Sequence, residues 1–316
     1  MRVTQTMLTQ TNLKHLSSSY NTLARVQEQL ISGKRIQKAS EDPVVAMQGI
    51  RYRTEVREVD QFRRNVSEAT SWMDLTDSTL NEVTEAVKRI RELTTQAAND
   101  TYESSQRAII KSEVDQLIEH IGSLANSKAG EKYIYNGTKT DQPLINMEKL
   151  KGFLAADPAN PVTIDEIYMT TPVPDKLNPS GKIEFEVSKG ITVQVNMQPE
   201  TIFGRELFEG LQKLSGLLSK ETTGGADLSA ELDTLDTLGQ SLITERAELG
   251  ARANRLELVD NRLQDHEIIA KTIMSDNEDI DVEKVIMELK SHETVHRAAL
   301  SAGARIIQPT LLDFLR

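Results

Sequence analysis

Val59, Val66, Met73, Leu80 and Val87 recur at every seventh residue, and three positions after each stand Phe62, Ala69, Thr76, Val83 and Ile90. Two rows at this spacing lie along one side of a helix and need partner helices to cover them. A shorter seam follows in Ile110, Val114, Leu117, Ile121 and Leu124. Leu228, Leu235, Leu242, Leu249, Leu256 and Leu263 form a third, again spaced by seven. Its companion row is mixed (Glu231, Leu238, Glu245, Arg252, Val259, His266), so this helix is less purely a two-stranded seam. Aromatic residues make up only 4% of the chain, which suits thin bundles with aliphatic seams better than a thick globular core. The expected fold class is mainly α with a small β-rich insert, a long coiled-coil-like bundle built from the N- and C-terminal regions.

Proline placement divides the chain. Seven of the nine prolines fall between residues 141 and 204, and Pro43 and Pro309 stand at helix boundaries. Proline inside a helix costs about 3 kcal/mol, so the chain reads as helical, then interrupted, then helical again. Within the interruption, Ile183, Phe185 and Val187 alternate with Glu184 and Glu186, and Ile191, Val193, Val195 and Met197 alternate after Ser188-Lys189-Gly190. Two period-2 runs across a glycine-containing loop predict a hairpin. Val162–Ile164 and Ile167–Met169 are weaker strand candidates. The length of 316 residues suggests about two domains. The expected division is 1–42 with 277–316 as terminal helices, 43–140 with 205–276 as a helical bundle, and 141–204 as a β-rich outer insert.

The two ends form a pair of their own. Leu13, Leu16, Tyr20, Leu23 and Leu30 share a face, with Gln27 in the gap, and Val282, Val285, Leu289, His292, His296, Ala299 and Ile306 fit a similar one. Isolated helices of about 12–15 residues are marginal in water, and residues 13–30 are only slightly longer. Both ends are therefore expected to be loosely ordered alone and to gain structure when packed together or against neighbours.

Composition removes several function classes. The chain has no cysteine, which excludes disulfides, thiolate metal sites and cysteine nucleophiles. A net charge of −11 disfavours nonspecific binding to nucleic acid or anionic lipid. No run approaches the roughly 18 apolar residues of a membrane span, and the first residues lack the apolar core of a secretory signal. Residues 1–60 carry nine Lys/Arg against six Asp/Glu, whereas 221–290 carry seven against seventeen. These regions either attract one another or are ordinary solvated faces. The leucine ladder is not a DNA-binding zipper, because residues 221–227 supply no basic helix ahead of it.

His292-Glu293-Thr294-Val295-His296 has the H-E-x-x-H form of zinc proteases, in which histidines at i and i+4 grip the metal and the glutamate acts as base. A catalytic zinc needs a third protein ligand, and beyond His296 only Asp313 offers a carboxylate side chain. Both histidines also lie on the terminal seam. The signatures of acyl transfer and nucleotide binding are absent. The expectation is no enzyme, no catalytic or metal-binding residue and no cofactor.

Three segments are more informative. In Ser32-Gly33-Lys34-Arg35-Ile36 through Ala39-Ser40-Glu41-Asp42-Pro43, Gly33 can stop one helix in a left-handed conformation, and Ser40 or Asp42 can cap the next. In Arg89-Ile90-Arg91-Glu92-Leu93 with Gln96-Ala97-Ala98-Asn99, the side chains of Arg89, Leu93 and Gln96 project away from the two seam rows, as an exposed contact would. Tyr133-Ile134-Tyr135-Asn136-Gly137-Thr138 carries an aromatic-flanked Asn-Gly hairpin-turn signal after a helix, so a hairpin is expected near 133–138.

Together these segments resemble the flagellin superfamily of bacterial axial flagellar proteins, over roughly 1–140 and 205–316. The tail Ile306-Ile307-Gln308-Pro309-Thr310-Leu311-Leu312-Asp313-Phe314-Leu315 and the tyrosine turn are similar to its hook–filament junction branch, although Asn136 stands where glycine is common. The resemblance implies a flagellin-like fold. Paired termini would form an inner tube layer, the seamed helices a middle bundle, and the insert an outer face. It implies a structural role, with copies in a ring between hook-associated protein 1 and flagellin. It also implies type III export without a cleaved signal, and an export chaperone on the C-terminal region. A filament subunit is the alternative. The assembly residues expected on this basis are Leu13, Leu16, Leu23 and Leu30 against Leu289, Leu300, Ile306, Leu311, Leu312 and Phe314. Gly33, Lys34, Arg35, Ser40, Asp42 and Pro43 form the joint, and Arg89, Leu93 and Gln96 a subunit contact.

Overall fold

A computed structural model describes residues 5–99, 104–155, 162–169, 181–220 and 225–307. Long helices dominate: α1 (Gln5–Ser32), α2 (Pro43–Ala97), α3 (Ser104–Ala125), α8 (Gly225–Glu278) and α9 (Val282–Ile307). Between α3 and α8 come β1 (Lys128–Ala129), β2 (Lys132–Tyr133), α4 (Met147–Ala155), the single turn α5 (Ile164–Ile167), β3 (Glu184–Ser188), β4 (Ile191–Gln194), the single turn α6 (Pro199–Ile202) and α7 (Arg205–Ser219). The mainly helical fold class agrees with the heptad reading.

The chain divides into two compact units, residues 1–60 with 265–316, and residues 61–264. The division falls inside α2 and α8, not at the joint near residue 42, because both helices continue without interruption past it. In the second unit the α2 and α8 rows are dry, and the α3 seam keeps Ile110, Val114, Ile121 and Leu124 but buries Ile118 in place of half-buried Leu117. Val66, Met73, Leu80 and Val87 are buried with Ala69, Thr76, Val83 and Ile90, and so are the six leucines spaced by seven, Leu228, Leu235, Leu242, Leu249, Leu256 and Leu263. Each such side chain contributes about 1.5–3 kcal/mol when removed from water. Two polar members of the α8 companion row have charged partners, and His266 is exposed. Buried Glu231 meets Lys213 Nζ at 2.5 Å, and Arg252 bonds Glu248. Arg246 also grips Asp77 of α2 at 3.0 and 3.1 Å.

Among its described residues the insert carries fewer strands than its pattern suggests. Its described strands are one antiparallel hairpin, β3–β4, with Phe185 opposite Val193 and Gly190 at φ 74° in the loop. Val187, Val193, Val195 and Met197 point into the core. The two weaker strand candidates are instead the turn α5 and an isolated bridge between Tyr168 and Ile145. Both segments are too short for a ladder, and the Tyr168 hydroxyl donates to the Phe203 carbonyl at 2.8 Å, an anchor of a different kind. The hairpin expected near 133–138 is not centred there: Asn136-Gly137 forms only a turn, with Gly137 at φ 55° and the Lys139 N–H bonded to the Asn136 carbonyl at 3.0 Å. The hairpin next to it, β1–β2, turns earlier, at Gly130. Tyr135 is fully buried against Phe203, its ring 4.8 Å away, and donates to the Thr76 carbonyl at 3.2 Å. That bond ties the turn to α2.

Candidate functional site: the paired termini and their joint

Helices α1 and α9 pack antiparallel within the first unit. Leu16 approaches Gly303, the Tyr20 and His296 rings are 6.1 Å apart, and the Ile280 N–H bonds the Gly33 carbonyl at 3.1 Å. The expected faces meet only in part: Tyr20 and Val282 are exposed, and the buried side chain on α1, among the described residues, is Val26, which lies outside the expected row. Val26 and Val285 are buried, while Leu16, Leu23, Leu30 and Leu289 are half-buried. Leu13 is 57% and Leu300 47% exposed. Ile306 lies in the last turn of α9. Its side chain, and all of Leu311, Leu312 and Phe314, lie outside the described residues. His292 and His296 both sit on the α9 side of this pair, half-buried. Among the described residues no group of three or more His, Asp or Glu is arranged to hold a metal.

The joint works as its residue types predict. Gly33 has φ 68°, where a side chain is strained, and its N–H bonds the Gln29 carbonyl at 2.9 Å, ending α1. Asp42 is the cap of α2: its Oδ1 accepts from the Val44 and Val45 N–H groups, both at 3.1 Å, ahead of which Pro43 needs no partner. Ser40 is exposed and plays no such part.

Sequence reasoning misses the group that holds this joint. Glu278, the last residue of α8, is 5% exposed. Arg53 of α2 clasps its carboxylate with two contacts of 2.7 Å, and Lys34 reaches it at 3.4 Å. Lys34 also bonds Asp279 at 2.7 Å, and the Arg35 N–H donates to the Glu278 carbonyl at 2.6 Å. Asn277 donates to the Val45 carbonyl at 3.1 Å. Burial pushes the Glu278 carboxyl up, but Arg53 and then Lys34 outweigh it and hold it below the ordinary range. The bond to Lys34, then that to Ser275, lowers Asp279. The sequence signal for this clasp is a run of acids, Asp276 to Asp281, with Lys34 and Arg35 at the far end of the chain.

The expected contact on α2 needs correcting at Leu93, which is 3% exposed and belongs to the core. It continues a further row of seven, Trp72, Thr79 and Ala86, all buried. Arg89 bonds Glu113 of α3 at 2.8 Å and Arg91 bonds Asp236 of α8, so α2 is covered from two sides and its buried face is wider than two rows. Arg89 and Gln96 remain at the surface.

The bacterial flagellin N-terminal helical region, as a family, matches residues 3–140, and the bacterial flagellin C-terminal helical region matches 232–315. The chain is 26% identical over 312 residues to "Flagellar hook-associated protein 3" of Escherichia coli (strain K12), covering 96% of each chain. It is 31% identical over 159 residues to "Phase 1 flagellin" of Salmonella naestved, which is 50% of this chain and 29% of that one. Its fold is similar to a crystal structure of the flagellar junction protein from Legionella pneumophila, with TM-score 0.53 and 15% identity over 73% of this chain and 99% of that one.

Proposed function

This chain belongs to the flagellin superfamily, and from that premise we propose that it is a structural hook-associated protein that links hook to filament. One observation carries the choice between junction and filament. A hook-associated relative aligns over 96% of both chains, insert included, whereas filament proteins align over less: a filament core protein of Treponema maltophilum over 73% of this chain and 70% of its own, and a flagellin over half of this chain and under a third of its own.

The mechanism is coupled folding and assembly without bond-making chemistry. The α1–α9 pair leaves Leu13 and Leu300 open and four further leucines half-covered. Neighbouring copies would complete that burial, and a handful of leucine-sized side chains at about 1.5–3 kcal/mol each outweighs the ordering cost of short helices. Partners on this reading are other copies in a ring, hook-associated protein 1 on one side and flagellin on the other, with an export chaperone holding the C-terminal region before type III export. The protein would then act outside the cell, on the flagellum. Immuno-electron microscopy of intact cells tests the reading. Label confined to the hook–filament boundary supports it, and label along the filament assigns the chain to the filament subunit instead.

A further inference from the structure

The joint contains more than a turn. Three separate segments meet on one carboxylate: Arg53 from α2, Lys34 from the loop after α1, and the Glu278-Asp279 end of α8. The approach is close because Gly49 faces the carboxylate. A Cβ built there would lie 2.7 Å from Glu278 Oε1. Two backbone bonds cross beside it, Arg35 N–H to the Glu278 carbonyl and Ile280 N–H to the Gly33 carbonyl. Gln37 and Lys38 line the same small cavity, about 130 Å³, with Gly49, Arg53 and Glu278. Asp279 is the other carboxylate paired with Lys34, and it is half open to solvent, with its side chain 43% exposed.

We propose that Glu278 is an acid-sensitive latch, whose ionised carboxylate locks the Gly33 hinge onto α2 and so fixes the register of the terminal helix pair. Protonation removes the charge that holds Arg53 and Lys34, and the two backbone bonds beside it open with the hinge. The sign follows from the depressed carboxyl. The stabilisation is complete above the free carboxylate value, about pH 4.3, and is lost as pH falls through the lower folded value. In the second unit Asp236 and Glu166 are also held below the ordinary range, by Arg91 and Lys149, but both are solvent-exposed, whereas half-buried Glu245 is pushed up, by burial first and then by Glu248. The latch does not depend on where the protein sits in a flagellum.

The test is amide exchange at Arg35 and Ile280 in the full chain between pH 7 and pH 3, corrected for intrinsic rates. Trp72, the sole tryptophan and buried in the second unit, reports in the same sample whether the bundle stays folded. Exchange at both amides should rise by about tenfold or more on acidification, as the loss of one partner from a buried charge pair demands, while Trp72 emission holds. Glu278→Gln should be open already at pH 7 and lose the pH response. Gly49→Ala removes no charge and asks only Oε1, the tip of a flexible side chain, to shift, so it should keep both the protection at pH 7 and the acid response. Asp279→Asn should keep the acid response. An unchanged response in Glu278→Gln, or protection at pH 3 equal to that at pH 7 in the unsubstituted chain, overturns the latch.

Discussion

The two units are built from the same kind of helix but close their cores differently. In residues 61–264, rows of seven from α2 and α8 are buried along with Ile110, Val114, Ile118 and Ile121 of α3. In the terminal unit, among the large apolar side chains described on α1 and α9, only Val26 and Val285 are buried. A bundle of several helices surrounds its seams, whereas a pair can cover only one stripe of each helix. The bundle is thus stable as one chain, and the pair is left with apolar surface that another copy can cover.

Four changes probe how far this difference between bundle and pair extends. Removing residues 300–316 should have the largest effect, leaving a helical chain in solution that no longer joins a flagellum. Circular dichroism and flagellar fractions read the two halves of that statement, and normal attachment would contradict it. Leu80→Ala in the fully buried seam should cost about 3–4 kcal/mol in denaturant unfolding of the bundle. Leu23→Ala in half-buried α1 should cost about 1 kcal/mol or less in the free chain while still lowering incorporation into flagella. Smallest of all, Arg89→Ala should leave the melting curve unchanged, since its pairs with Glu92 and Glu113 are solvent-exposed.

Much of this architecture is legible in the residues themselves. Spacing by seven identifies the seams because burial on a helix repeats at nearly that period. Proline density marks the interrupted region and Gly33 announces its own turn, whereas the residue types leave Ser40 and Asp42 as equal candidates for the cap that Asp42 supplies. Other features are not local. Counting two rows puts Leu93 at the surface, whereas coverage of α2 by both α3 and α8 buries a third row. The clasp on Glu278 joins residues more than 200 positions apart, Arg53 and Lys34 with the end of α8, and neither charge pattern alone names its partner. The segments near Val162 and Ile167 stay out of the sheets for a related reason. A short apolar run becomes a strand only when a neighbour offers a free edge, and the described residues of the insert form helical turns beside one hairpin.

The most direct test compares hydrogen exchange of the free chain with that of the same chain assembled on flagella. Coupled folding requires slow exchange throughout 61–264 in both states, with α1 and α9 fast when free and slow when assembled. Equal, global protection of α1 and α9 in the free monomer would show that the pair needs no neighbours, and would contradict assembly-driven ordering of the termini.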